Sequence, residues 1–261
     1  MSLFKHLIES LREPGFWAYS TWLTVVTNYR RSRLGMVWLL VPPALYIWGL
    51  GAFFSSMQNT PLNHFAAHVA VGITVFRLVT TVITDSAGVL SSNQGFILDG
   101  RVRLTDFVLR VVARALFYTA VAIPLVLLAL FLYGDVRLDG VLMLFVSLPL
   151  LLLNVVWLSV VFALLGARYP DTEQFINNAF LFLFLLTPVV WFAEQAPVDS
   201  LRGMLMRVNP LFHIIEAIRA PLLGEAVDSN GLIVMAVMAA IGWLVAALLY
   251  RRYARFVPLW I

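Results

Sequence analysis

Of 261 residues, 61% are hydrophobic and only 12% charged, with a mean hydropathy of +0.90 and a formal net charge of +4. A soluble domain carries about 25% charged residues, so this chain lacks the polar surface to cover a water-exposed globule, and the apolar excess must face lipid. The lack of cysteine excludes disulfides, thiolate metal sites and cysteine nucleophiles. Lys5, the single lysine, has none of the Gly-rich context of a phosphate-binding loop, so the chain cannot hydrolyse ATP by that chemistry itself.

Residues 1–15 contain Lys5, Glu9, Arg12 and Glu13 and no apolar run of signal-peptide length. Residues 16–33 set Phe16, Trp17, Tyr19, Trp22 and Leu23 ahead of an Arg cluster, which predicts an interfacial helix with its rings at headgroup depth. Six apolar segments follow, near 35–56, 66–90, 108–133, 140–166, 175–193 and 231–250. Each matches the roughly 20 residues that cross about 30 Å of hydrocarbon, and a helix is the open-chain structure that satisfies its own backbone there. The connection 194–230 is too long for a simple hairpin and too apolar for a solvated loop. Asn209 and Pro210 can start a helix within it, and Pro221 to Gly224 can end one, so a short helix pair dipping into the outer leaflet is expected. The fold expected is thus an all-α integral membrane domain over 1–261, with six spans, an interfacial helix and re-entrant external helices.

The cations orient it. With the N-terminus in the cytoplasm, Lys5, Arg12, Arg30, Arg31, Arg33, Arg101, Arg103, Arg110, Arg114, Arg168, Arg251, Arg252 and Arg255 fall on that side. Arg137, Arg202, Arg207 and Arg219 fall on the other, and Arg77 lies within a span. The asymmetry places both termini in the cytoplasm.

Four constellations stand out. The cytoplasmic loop 91–107 carries Asn93 to Leu98 with Phe96 and Ile97 as apolar anchors for a soluble partner, or is a plain connecting loop. ARYPDTEQ at 167–174 reads as an ordinary helix junction or the start of a short helix after Pro170. Arg77 and Asp85 sit eight residues apart in the second span and can share a broad face, toward either a structural partner or a substrate. Among the aromatic residues, Trp38, Tyr46, Trp48, Trp157 and Trp191 lie near segments that can form a pathway, although Trp and Tyr also populate every membrane interface. His64 and His68 lack the H-E-x-x-H pattern of a zinc protease, and Glu194, Asp199 and Glu216 are only scattered acids, which leaves an intramembrane transferase little support. Inverted repeats of a secondary transporter are not visible either.

The run TNYRRSRLGMVWLLVPP, the loop NQGFILDGRVRL, the ARYPD turn and NPLFHIIEAIRAPLLGE, in this order across a six-span layout, resemble the membrane subunit of bacterial polysaccharide ABC exporters, a branch of the type-2 ABC permeases. The last stretch is more similar to the O-antigen branch than to the capsule branch; capsule, teichoic acid, drug or lipid-like cargo is the alternative. The resemblance implies a homodimer with a channel at its interface in the bacterial inner membrane. It further implies two ATPase subunits that bind the ATP and Mg, a lipid-linked polysaccharide as substrate, and no cofactor, metal or nucleic acid on this chain. It would make Asn93, Gln94, Gly95, Phe96, Ile97, Leu98, Asp99 and Arg101 the ATPase-coupling element, and Arg168, Tyr169 and Asp171 a short cytoplasmic gate helix. Asn209, Pro210, His213, Glu216 and Arg219 would form the periplasmic gate, and Arg77 with the five aromatic residues above would line the channel.

Overall fold

The computed structural model describes residues 2–30, 32–58, 60–134, 136, 138–225 and 229–261, and among these it is helical with no strand. In chain order the helices are α1 (Leu3–Arg12), α2 (Gly15–Arg30), α3 (Gly35–Gln58), α4 (Leu62–Val89), α5 (Gln94–Leu98), α6 (Leu104–Tyr133), α7 (Gly140–Arg168), α8 (Thr172–Leu186), α9 (Leu201–Val208), α10 (Pro210–Leu222) and α11 (Asn230–Trp260). Helices α3, α4, α6, α7 and α11 are long and apolar enough to cross a membrane.

The fifth expected span differs. The apolar run continues from 175 to 193, but α8 stops at Leu186 after 15 residues, which at 1.5 Å per residue reaches only about 22 Å. Thr187 takes an extended conformation, φ −86° and ψ 132°, because the residue before a proline is driven out of the helical region. Pro188 therefore ends the helix while the hydropathy carries on.

Helix α3 is irregular for a related reason. It opens as a 3₁₀ turn over Gly35–Leu39, passes Pro42 and Pro43, and widens to π spacing over Leu45–Leu50. Neither proline can donate to the ladder, and each ring crowds a carbonyl one turn back; the local 3₁₀ and π turns absorb the misfit.

The helix expected at 16–33 is present as α2, and α1, which precedes it, has the sharper separation of faces. Leu3, Phe4, Leu7, Ile8 and Leu11 share one side, opposite Lys5, Glu9 and Arg12. Leu3 and Leu7 are buried, whereas Phe4, Ile8 and Leu11 are half exposed beside them, an arrangement suited to a helix that rests partly on protein and partly on lipid. Helix α2 has apolar residues around its circumference and turns Thr21 and Val25 onto α6, leaving Tyr19, Trp22 and Leu23 outward. Polar contacts fix α1: Ser10 and Thr105 share a buried hydrogen bond of 2.7 Å, and Arg103 donates to Glu9 at 3.1 Å and to Glu13 at 2.9 Å. His6 Nδ1 lies 2.8 Å from the Tyr250 hydroxyl, and burial pushes the His6 imidazole below its usual pKa.

Helix α4 is the axis of the bundle, packed by α3, α6, α7, α8 and α10. Because lipid supplies no hydrophobic drive between helices, close approach and buried hydrogen bonds must hold them. Gly166 of α7 lies directly against the Ala87 carbonyl of α4, Gly140 against the Pro221 carbonyl, and Gly242 of α11 against the Trp157 ring. Ser86 and Ser159 share a 2.7 Å hydrogen bond between α4 and α7, and Asn154 Nδ2 donates to the Met235 carbonyl at 3.0 Å, tying α7 to α11. A Gly166→Val substitution places a branched side chain onto backbone that cannot yield. The expected cost is at least the ~1–3 kcal/mol of ordinary overpacking, read as a lower thermal midpoint of the purified chain in detergent, with Gly95→Val, which meets open space, unchanged.

Candidate conducting face

Nearly every side of α4 is covered. The side left open runs through Arg77, Thr80, Thr81, Thr84 and Asp85, at i, i+3, i+4, i+7 and i+8, which is one helical stripe. With α3 and α8 it forms an open groove of about 600 Å³. Its polar floor is this stripe with Asn177, and its walls include Tyr46, Phe76, Phe180 and Phe184. A smaller cavity of about 180 Å³ shares Arg77 and Thr81 with the groove and is also lined by Trp38 and Tyr118.

Arg77 is exposed and carries its guanidinium 5.9 Å from the centre of the Tyr46 ring, within cation–π range. Among the described residues it has no carboxylate at ion-pair distance. Asp85 is instead held by Arg114 of α6, whose Nη2 donates at 2.7 Å with both side chains 30% exposed. The two charges that share α4 thus divide: Asp85 is neutralised from the neighbouring helix, while Arg77 stays free over the groove.

Of the aromatic pathway candidates, Tyr46 lines the groove and Trp38 the adjoining cavity. Trp48 lines neither. Trp157 lies between α7 and α11, donating to Asn154 at 3.0 Å. Trp191 is buried beneath Arg202, whose guanidinium stands 3.7 Å from its ring centre.

At one end of the bundle α5 presents Phe96 and Leu98, each 56% exposed, while Ile97 turns inward at 6%. The outward apolar pair is therefore Phe96 with Leu98, not Phe96 with Ile97. Asn93 Nδ2 donates to the Val89 carbonyl at 2.6 Å, and Gln94 and Gly95 are exposed. Asp99 and Arg101 form an exposed 3.4 Å ion pair around Gly100, whose φ of 72° suits glycine. The short helix expected at the ARYPD segment is a turn: α7 runs through Arg168, residues 169–171 are non-helical, and α8 begins at Thr172 behind Asp171. Arg168 and Tyr169 are both exposed there.

At the opposite end, α9 is capped by Ser200, which accepts from Gly203 N at 3.0 Å, and α10 by Asn209, which accepts from Leu211 N at 3.0 Å ahead of Pro210. Asn209 Nδ2 also donates to Thr187 Oγ1 at 2.7 Å. Arg219 is 1% exposed; it donates to the Pro188 carbonyl at 2.6 Å, to His68 Nε2 at 2.9 Å and to Glu216 at 2.5 Å. Asn209 and Arg219 thereby grip the chain where α8 breaks. His213 Nε2 lies 2.7 Å from the Arg207 carbonyl. Burial raises the pKa of Glu225, and the nearby Glu216 adds to the effect.

Sequence reasoning did not find Arg114 as the partner of Asp85, nor His68, Thr187, Glu9 and Glu13 as partners. The threonines of the stripe were within reach, since Thr80, Thr81 and Thr84 recur at helical spacing between Arg77 and Asp85. Among the described residues no group of three or more His, Asp or Glu is placed to hold a metal ion.

The described residues thus form an apolar helical bundle with an open polar stripe along α4. The chain belongs to the ABC-2 type transporter family, whose model matches residues 17–223. It is 21% identical over 193 residues to the O-antigen export system permease protein RfbA of Myxococcus xanthus, covering 74% of each chain. It is likewise 21% identical over 203 residues to RfbA of Klebsiella pneumoniae, covering 74% of this chain and 76% of that one. To the capsule polysaccharide export inner-membrane protein CtrC of Neisseria meningitidis it is 23% identical over 209 residues, covering 78% of each.

Asp85→Asn removes the counter-charge of Arg114. Because the pair is partly exposed, the expected loss is about 1–2 kcal/mol rather than the ~3–5 of a sealed pair. The swapped double variant Asp85→Arg with Arg114→Asp recovers most of it, as measured by thermal midpoints in detergent.

Proposed function

We propose that this chain is the permease subunit of an ATP-driven exporter that moves a lipid-linked surface polysaccharide of the O-antigen type across a bacterial inner membrane. The observation that carries this reading is the uncovered polar stripe of α4. Charged and hydroxyl side chains near mid-span are costly against acyl chains, and a second copy facing the stripe turns two open grooves into one water-filled conduit. A polymer of many repeat units does not fit a closed pocket, whereas an interface conduit accepts it at any length. The aromatic walls suit sugars, whose C–H faces stack on rings without sequence-like specificity.

The chain brings no phosphate-binding loop, so the energy enters from outside. Two ATPase subunits, holding ATP and Mg, dock on α5 through Phe96 and Leu98, with Asn93, Gln94, Asp99 and Arg101 as the polar rim. Their motion passes through the Arg103 contacts into α1 and α6. The Arg excess at this end supports a cytoplasmic position for it and for both termini, with the Arg168–Asp171 turn at the inner mouth. Helices α9 and α10 then close the periplasmic end and dip toward the outer leaflet, with Asn209, Pro210, His213, Glu216 and Arg219 as their frame. The similarity to CtrC supports capsule polysaccharide as the second reading for the cargo, through the same conduit.

Phe96→Asp puts a charge into the apolar docking contact and is expected to cut co-purification of the ATPase by about tenfold or more, as for loss of an interface hot spot. Undiminished complex would refute docking at α5. Arg77→Ala is expected to lower export severalfold with the complex intact, measured as polymer delivered to the cell surface; wild-type export would return Arg77 to a purely structural role.

A further inference from the structure

A second groove lies between the cytoplasmic ends of α7 and α11, away from the α4 stripe, with a volume of about 430 Å³. It is lined by Leu165 and Leu249 and, nearer the helix ends in sequence, by Tyr169, Tyr253 and Trp260 together with Arg168. The Arg168 guanidinium stands 5.0 Å from the centre of the Trp260 ring and 5.9 Å from that of Tyr169. Stacking of this kind pre-organises the planar fork and leaves its N–H donors in the ring plane available to an oxyanion. Among the described residues no carboxylate pairs with Arg168, so the charge is not spent inside the protein. Arg251, Arg252 and Arg255 are exposed on the adjoining end of α11.

The parts match an amphiphile in order. The leucine walls lie within the apolar spans, at acyl-chain depth, while the rings and the cation sit at the helix ends, where headgroups lie. Clusters of basic residues between helices on the cytoplasmic side favour anionic headgroups over zwitterionic ones. The geometry points to a binding site for an anionic phospholipid of the inner leaflet, with its phosphate on Arg168 between Trp260 and Tyr169 and an acyl chain along Leu165 and Leu249. The leaflet follows from the orientation proposed above; the site itself does not depend on the cargo. A bound lipid here would brace the junction between α7 and the 169–171 turn, at the end of the helix that leads into α8 and the groove.

Native mass spectrometry of the detergent-purified full chain tests this, with phosphatidylglycerol and phosphatidylcholine of identical acyl chains supplied at equal mole fraction. The wild type is expected to retain phosphatidylglycerol about fivefold or more over phosphatidylcholine, and Arg168→Gln to lose that preference. Leu165→Trp, which fills the groove, lowers retention of both lipids. Should that variant fail to fold, Arg168→Lys decides in its place, keeping the charge but losing the fork and most of the preference. Equal retention of the two lipids, an unchanged preference in Arg168→Gln, or an equal loss in Arg202→Gln at the opposite end of the bundle would overturn the site. So would stronger retention of a lipid-linked oligosaccharide diphosphate that Arg168→Gln abolishes, which would give the groove to the substrate carrier. ATPase co-purification from the same cells is read separately: its loss with lipid preference intact counts against the exporter reading alone.

Discussion

A charged side chain near the centre of a bilayer costs about 2.5–3.5 kcal/mol even by the mildest scale, and α4 carries Arg77 and Asp85 with three threonines on one uncovered side. The rest of the architecture follows from keeping that helix in place while leaving that side open. Small residues let α7 approach α4 closely at Gly166, the Ser86–Ser159 hydrogen bond locks the contact, and Arg114 reaches across from α6 to neutralise Asp85. Arg77 alone is left to the groove, over the Tyr46 ring. A stripe of this kind is stable only against water or a complementary surface, which is what the proposed pairing of two copies would supply.

The two ends are built on different principles. At the α9–α10 end the break after α8 is held by fully buried polar groups, Asn209 on Thr187 and Arg219 on Pro188. A buried guanidinium is tolerable because His68, Glu216 and the Pro188 carbonyl all take its protons. Such an end is rigid by construction. At the α5 end the contacts are exposed or half exposed: the Arg103 fork on Glu9 and Glu13, the Asp99–Arg101 pair, and the outward rings of α5. Partly solvated ion pairs of this sort are weak and readily remade, which suits the docking proposed for this end.

Much was legible from residue order alone. The membrane class, four of the spans within a few residues and the start of the last, the Asn209–Pro210 helix start and the exposed segment around Phe96 all follow from local signals: unbroken apolar runs, capping side chains and proline at the first helical position. Those signals act within one or two turns of the chain. Where they conflicted, the sequence reading went astray. The apolar run continues to residue 193, yet Pro188 ends the helix at Leu186, because a proline acts on its neighbour's backbone while hydropathy carries on unchanged.

The sequence by itself determined that the chain lives in lipid, that its segments are helices, and that it carries no nucleotide-binding machinery of the P-loop kind, because hydropathy and the absence of a motif are properties of a linear string. Only the tertiary structure decided which side of each helix stays open. Asp85 could have paired with Arg77 on its own helix or with a residue 29 positions away, and Arg219 could have faced an aqueous gate or the interior. Burial and pairing are set by neighbours distant in the chain, and no local rule specifies which helix will lie across from a given face.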